Sequence, residues 1–558
     1  MEAHDLLAIA PAAEIGGDPE MGNMGISPWP PPPMYPGVPM LPGVMRVHPK
    51  VNPFELTGSS DIPMVTPHSM VKLPNGGTLD LFAGLVKKHI EGNELTMLAF
   101  NGQHPGPLIK VDQGSTIFVN FTNDTPFPSA VHWHGVRLDN RFDGVPGVTQ
   151  DPVLPGESFR YQIYFKDAGI YWYHPHHRED IQQELGLAGN ILVSPEEESY
   201  YTAVDREEII MIDDFLLSEG QSVPFGSEAA NYGLMGRFGN LLLVNGEPEY
   251  TLAIKKGELV RFYFTNAANT RTFNLSFHRT TQHDEEPSIV PIKVIASDLS
   301  KFMQEAMVKN ITLAPAERYV VEVLFDEPGE YVLKNHVQGI NHRMGIFMEE
   351  QVQLGSISVS AQDIDSGHRH TFDQLRTNAN MVEEIETLRH WFDQPPEHHL
   401  NLTLQIDSLA PAVEQSMLFD RAYFNPVEWT GTMPRMNWVT DTRQLEWILE
   451  DTDDGSKNME IKWNFQVGEV AKIRIHNDAN AFHAMQHPLH IHGQRFLVLE
   501  QDGVTNDNLV WKDTVLLPTG STTDILLELS NPGQWMVHCH IAEHLESGMK
   551  FVFNVGEE

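Results

Sequence analysis

The chain of 558 residues carries 76 acidic against 37 basic side chains, a formal net charge of −39. That balance argues against nucleic acid and anionic membrane as partners, and no apolar run approaches the roughly 20 residues of a membrane span. The length calls for about three or four domains, and the lone cysteine, Cys539, excludes an intrachain disulfide and any CxxC-type zinc or iron–sulfur site.

Residues 1–50 form the first segment. They contain the Pro-rich run Pro28–Trp29–Pro30–Pro31–Pro32–Pro33 together with Met21, Met24, Met34, Met40 and Met45. Such composition predicts an extended N-terminal extension that packs poorly. Its methionines can serve as soft ligands for Cu(I) or simply pack against the body. The short apolar run Leu6–Leu7–Ala8–Ile9–Ala10 follows Glu2 and Asp5 rather than basic residues, so no secretory leader is legible.

Beyond the extension one pattern recurs. Residues 101–123 (NGQHPGPLIKVDQGSTIFVNFTN) and 245–266 (NGEPEYTLAIKKGELVRFYFTN) are two copies, and 463–477 (WNFQVGEVAKIRIHN) is a weaker third. Each reads as a strand, a Gly-containing turn and an alternating apolar strand. A second shared block follows each copy, at 155–176, 314–336 and 518–540. Aligning Gly169, Gly329 and Gly533 places His174, Lys334 and His538 in one slot, and His176, His336 and His540 two residues on. A triplicated domain that keeps its chemistry in the first and last copies accounts for this pattern.

Short strands with turn signals predict an all-β chain of consecutive Greek-key sandwiches. The domains expected are 51–200, 201–375 and 376–558, after the 1–50 extension. One stretch departs from the β pattern: Asn378 leads into MVEEIETLRHWF. It predicts an amphipathic helix with an Asn cap, bridging the second and third domains.

Four clusters hold metal-binding chemistry: HWHG (His132, His134), HPH (His174, His176), HPLHIHG (His487, His490, His492) and HCHIAEHLESGM (His538, Cys539, His540, His544, Met549). Two histidines separated by one residue on a strand share a face, and imidazole suits copper. In HCH the cysteine points away from its flanking histidines, so one segment reaches two sites. Cys539 with His487, His544 and a weak axial Met549 makes the donor set of a blue copper site. Eight histidines remain, enough for three coppers with open positions for oxygen.

In their order along the chain these clusters resemble the four signature motifs of the multicopper oxidase family, over nearly everything from about residue 70 to 558. The resemblance implies three cupredoxin-like domains, the second without copper ligands, and four copper ions per chain. It implies a type 2 copper on His132 and His490, and a type 3 pair on His134, His174, His176, His492, His538 and His540. The blue, type 1 copper would sit on His487, Cys539 and His544 with Met549 axial. It also implies dioxygen as the electron acceptor and a small aromatic or metal-ion reductant. A periplasmic or extracellular location after leader removal is expected, and a monomer.

Reducing dioxygen to water consumes protons, which carboxylates near the metals can relay. Asp143, after HWHG, resembles an acid beside the cluster in relatives. Glu543 and Glu546 flank His544 and are further relay candidates. Asp513 could accept a hydrogen bond from a ligand imidazole. The leading expectation is a laccase-like oxidase of phenols and aromatic amines. A Cu(I) oxidase serving copper tolerance is the alternative. The acidic surface favours that alternative, but Met417, Met433, Met436 and Met485 are scattered rather than clustered. A copper-storage or electron-carrier protein needs only Cys539 and its partners, which leaves eight histidines unexplained.

Overall fold

The computed structural model describes residue 56 and residues 61–225, 229–280, 288–341, 346–364, 368–406, 427–430 and 445–557. The expected N-terminal extension, Met417, Met433 and Met436 lie outside the described residues. Alternation decides most of the strands. In Thr116–Asn123, Ile117, Val119, Phe121 and Asn123 are buried while the intervening residues are half-buried, as expected for a strand with one face on a core.

Among the described residues the strands build three pairs of sheets in chain order, Met70 to Ser194, Arg206 to Asp363 and His398 to Gly556, with a small two-stranded sheet of Leu217–Ser218 and Gln221–Ser222 beside them. The three units share one pairing scheme. In the first, Thr78–Ile90 runs parallel to Thr116–Asn123, which is antiparallel to Ser158–Tyr164. In the second, Arg206–Phe215 runs parallel to Glu258–Asn266, itself antiparallel to Arg318–Phe325. His398–Ile406, Val470–Asn477 and Thr522–Glu528 repeat this in the third. The aligned Gly169, Gly329 and Gly533 have φ of 146°, 140° and 132°, values that L side chains adopt rarely. The three copies therefore share backbone detail as well as sequence.

The units are packed into one another. The apolar core of the first sandwich, around Leu81, Phe121 and Trp133, continues into Leu497 and Trp511 of the third and Ile385 of the connecting segment. The strand Gly169–Pro175 is buried along its whole length, because its outer face packs against Glu258–Asn266 and Arg318–Phe325 of the second sandwich. Val427–Thr430, far along the chain, adds a parallel strand to Gly329–Asn341 of the second unit.

The bridging helix departs from expectation. It is split into Ala379–Glu386 and Arg389–Phe392. Asn378 makes no side-chain cap, because its amide donates instead to Phe302 O at 2.6 Å. That bond pins the segment to the second sandwich. Among the described residues no helix is long and apolar enough to cross a membrane.

Candidate metal centre

The histidine pairs meet because two strand registers match. His132 lies opposite His174 in the first sandwich, and His490 opposite His538 in the third. The two sheets present these faces to each other. His132 and His492 rings approach to 4.0 Å, and His134 stacks on His490 at 3.8 Å. All eight imidazoles are buried. Their nitrogens form close groups: His134, His174 and His540; His176, His492 and His538; and His132, His134 and His490.

The outward nitrogens of six of these rings are fixed by hydrogen bonds. His132 Nδ1 donates to Asp143 O at 2.8 Å, His174 Nδ1 to Pro175 O at 2.9 Å, and His490 Nδ1 to Asp513 O at 2.8 Å. His538 Nδ1 donates to Cys539 O at 2.9 Å and His492 Nδ1 to Asp143 Oδ2 at 2.9 Å. His134 instead donates through Nε2, to Asp513 Oδ1 at 3.2 Å. The opposite nitrogens of His132, His134, His174, His176 and His490, and both of His540, are buried without a hydrogen-bond partner. Burial, followed by mutual repulsion, pushes His134, His174, His176, His492, His538 and His540 well below the ordinary imidazole range. Neutral imidazole is the form that binds metal.

A second group lies on the other face of the Gly533–Cys539 strand. Cys539 Sγ is 3.5 Å from His487 Nδ1 and 3.7 Å from His544 Nδ1, and these two nitrogens are 3.2 Å apart. A triangle of that size has its centre about 2 Å from each donor, the length of a metal–imidazole bond. His544 Nε2 donates to Leu234 O at 3.1 Å, which leaves Nδ1 to the group. Met549 is buried in the same core, and its carbonyl accepts from Cys539 N at 3.2 Å.

The expected carboxylates take different places. Asp143 is 1% exposed and contacts both His132 and His492, ligand candidates from two domains. Asp513 bonds His134 through its carboxylate. Glu543 turns instead to the second sandwich, accepting from Thr270 Oγ1 at 3.1 Å and Asn269 Nδ2 at 3.4 Å. Burial raises its pKa to about 8. Glu546 lies near Arg178, 4.0 Å away, and its pKa is raised, first by burial and then by Asp180.

Sequence reasoning missed Glu179. It is wholly buried, stands 3.3 Å from His176 Nδ1, and both of its oxygens lack a hydrogen-bond partner. Burial, and then Glu546, pushes it well above the carboxylate range. Arg178, at φ 48°, turns the chain so that the short helix Glu179–Gln182 returns toward the HPH strand. The HPHHRED spacing alone shows nothing of that turn.

In the middle sandwich Ser276 lies opposite Lys334, the register at which the outer domains pair two histidines. Ser276 Oγ lies 2.8 Å from His278 Nε2. Burial, followed by Lys334 and His336, lowers His278 to about 4. An ammonium among the remaining imidazoles opposes a bound cation.

Two sequence profiles described as multicopper oxidase match this chain, over residues 86–198 and 428–558, the stretches that carry the four clusters. The chain belongs to the multicopper oxidase family. It is 26% identical to Laccase-1 of Cryptococcus neoformans var. neoformans over 496 residues, 82% of this chain and 77% of the laccase. It is 22% identical to the Copper resistance protein A homolog of Pseudomonas syringae pv. tomato, covering 85% of this chain and 92% of that protein. The crystal structure of a multi-copper oxidase from Pseudomonas thermotolerans superposes with a TM-score of 0.62 at 25% identity, over 87% of this chain and all of that one. The three sandwiches are cupredoxin-like domains, and this multicopper oxidase is a copper-dependent oxidoreductase with dioxygen as acceptor. That sets aside the storage and carrier alternatives.

The residues present fit copper. His492 Nε2 and His538 Nε2 face each other at 3.0 Å although each ring already donates through Nδ1. Two opposed lone pairs repel unless a cation lies beside them. Burial pushes the Cys539 thiol far up, so a metal is what ionises it. Two imidazoles with one thiolate suit copper over harder ions.

Proposed function

We propose that this multicopper oxidase is laccase-like, taking single electrons from phenols or aromatic amines and passing four of them to dioxygen. In this reading the chain holds four coppers. His487, Cys539 and His544, together with Met549 from the same core, would hold the type 1 ion. His134, His174 and His540, and His176, His492 and His538, bind the type 3 pair, and His132 with His490 the type 2 ion. The observation that carries the reading is the two histidine triads and the remaining pair, joined through the HCH segment to the thiolate group. When bound, copper supplies one-electron acceptance at Cys539 and four-electron reduction of dioxygen at the histidine cluster.

The chain's own residues do the rest. Cys539 is covalently continuous with His538 and His540, a short route between the two groups. Asp143 aims His492 and His132. Glu179, whose pKa burial raises, stands 3.3 Å from His176 Nδ1 and is placed to exchange a proton beside that ring. We assign Asp143, Glu543 and Glu546 to proton supply, with Glu546 the more exposed at 28% of its side chain. One chain supplies every donor, which supports a monomer. We place the protein in the periplasm or outside the cell, away from the cytosolic thiol pool. Domain boundaries near residues 200 and 375 complete this reading.

One observation favours a second reading, oxidation of Cu(I). His487 and His544 are 1% and 0% exposed. Leu234 O covers His544 Nε2, and Trp447 lies 4.1 Å over the same ring. A covered edge favours a small reductant over a bulky aromatic. The resemblance to a laccase supports the first reading and that to a copper resistance protein the second. Oxygen uptake by copper-loaded protein, with a dimethoxyphenol and with stabilised Cu(I) under matched conditions, separates them. Fast phenol turnover supports the laccase-like reading, and feeble phenol turnover with fast Cu(I) oxidation replaces it.

A further inference from the structure

Arg318 heads the strand Arg318–Phe325 of the middle domain and is wholly buried. Its guanidinium meets the carboxylate of Asp513, in the third domain, with both arms: Nη1 to Oδ1 at 2.7 Å and Nη2 to Oδ2 at 2.6 Å. The same carboxylate accepts from His134 Nε2 of the first domain at 3.2 Å and from Thr514 Oγ1 at 2.8 Å. The backbone carbonyl of Asp513 accepts from His490 Nδ1 at 2.8 Å. One aspartate thus aims two imidazoles from two domains, and an arginine from the remaining domain aims the aspartate.

Two further observations support this arrangement. The guanidinium is also tied to its surroundings: Nε donates to Ile170 O at 3.3 Å, Nη1 donates to Ala316 O at 3.2 Å as well as to Asp513, and Asp298 Oδ1 lies 3.5 Å from Nη1. Asp298 also meets Lys512, next to Asp513 in the chain, at 3.0 Å. Then there is the glycine of HWHG. A Cβ on Gly135 would lie 2.5 Å from Arg318 Nη2 and 2.6 Å from Asp513 Oδ2, and the residue has φ 81°. The absence of a side chain there makes room for the pair.

We propose that Arg318 is a positioning residue for the histidine cluster, so that the middle domain, which offers none of the assigned ligands, is needed to set the cluster's geometry. The proposal rests on the ligand assignment given above. Outer hydrogen bonds of this kind orient ligating imidazoles, and their loss typically costs about 10–100-fold in metal affinity or activity. A planar fork matches a carboxylate with two parallel bonds, whereas an ammonium offers a point charge.

Arg318→Lys tests this. Its blue absorption, which reports the Cys539 site and the fold around it, is expected to match wild type. Its type 2 EPR signal is expected to shift, its copper content at the cluster to fall, and kcat to drop about 10–100-fold with KM for the reductant unchanged. Arg318→Lys with wild-type copper content, EPR and kcat overturns the proposal. If that variant does not fold, the apolar pair Arg318→Met with Asp513→Leu removes both buried charges together, a replacement cores often tolerate. It is expected to keep the blue band and lose the type 2 signal, and an intact signal there overturns the proposal. Wild-type protein with no copper beyond the Cys539 site would instead sink the ligand assignment.

Discussion

Asp143 Oδ2 lies 2.9 Å from His492 Nδ1 across the boundary between the first and third domains. A carboxylate on a loop of one domain thereby sets the tautomer of a ligand candidate in another, leaving Nε2 toward the cluster. Asp143→Asn retains an acceptor and is expected to keep its copper while slowing turnover. Asp143→Ala is expected to lose cluster copper and about 10–100-fold in kcat. Metal analysis alongside steady-state kinetics distinguishes them, and wild-type kinetics in the alanine variant would remove Asp143 from the account.

Glu179 has a separate signature. Glu179→Gln keeps the shape beside His176 but removes the exchangeable carboxyl proton. Copper content should stay at wild-type level while kcat falls, by about 100-fold if the proton transfer is general acid catalysis. The comparison is made at equal copper loading, and equal kcat at every pH shows that Glu179 merely fills space.

His104 predicts a pH dependence of stability. It is buried where the first and second domains meet, with Lys88 Nζ donating to its Nδ1 at 3.2 Å and Lys88 also bonding Gly246 O. Burial, then Lys88, lowers its pKa to about 3 from an ordinary 6.5. A base with a depressed folded pKa adds stability that is present above 6.5 and lost as pH falls toward 3. The slope is about 1.4 kcal/mol per pH unit in that window. Calorimetry between pH 7 and 5 should show the stability of His104→Gln falling less steeply than that of wild type. Parallel curves would contradict the burial of a neutral imidazole.

Cys539→Ser should remove the blue absorption and turnover while circular dichroism keeps the β signature, with a lower melting temperature because a copper bound only to the folded chain is lost. A Cys539→Ser protein that stays blue is incompatible with thiolate ligation.

The parts legible in the sequence are those with short-range periodicity. HWHG and HCH each place two imidazoles on one face because strands alternate, and the matching glycines at 169, 329 and 533 expose the triplication. Contacts made over long chain separations left little trace. Arg318 and Asp513 are 195 residues apart. The one available signal is that Arg318 and Glu322 share the phase of Val320 on an otherwise apolar strand, two charges on a buried face. Glu179 depends on a left-handed turn at Arg178 that no glycine announces. The helix after Asn378 read as continuous because its apolar spacing continues past Thr387, whereas the competing bond from Asn378 to Phe302 O is a tertiary contact.

The most direct test of the account is native mass spectrometry of the copper-loaded chain, beside the same measurement on Cys539→Ser. The account predicts four coppers per wild-type chain and three in the variant, with the loss confined to the blue site. A single copper per wild-type chain, lost in the variant, would contradict it, leaving the eight histidines around His132 without the metals assigned to them.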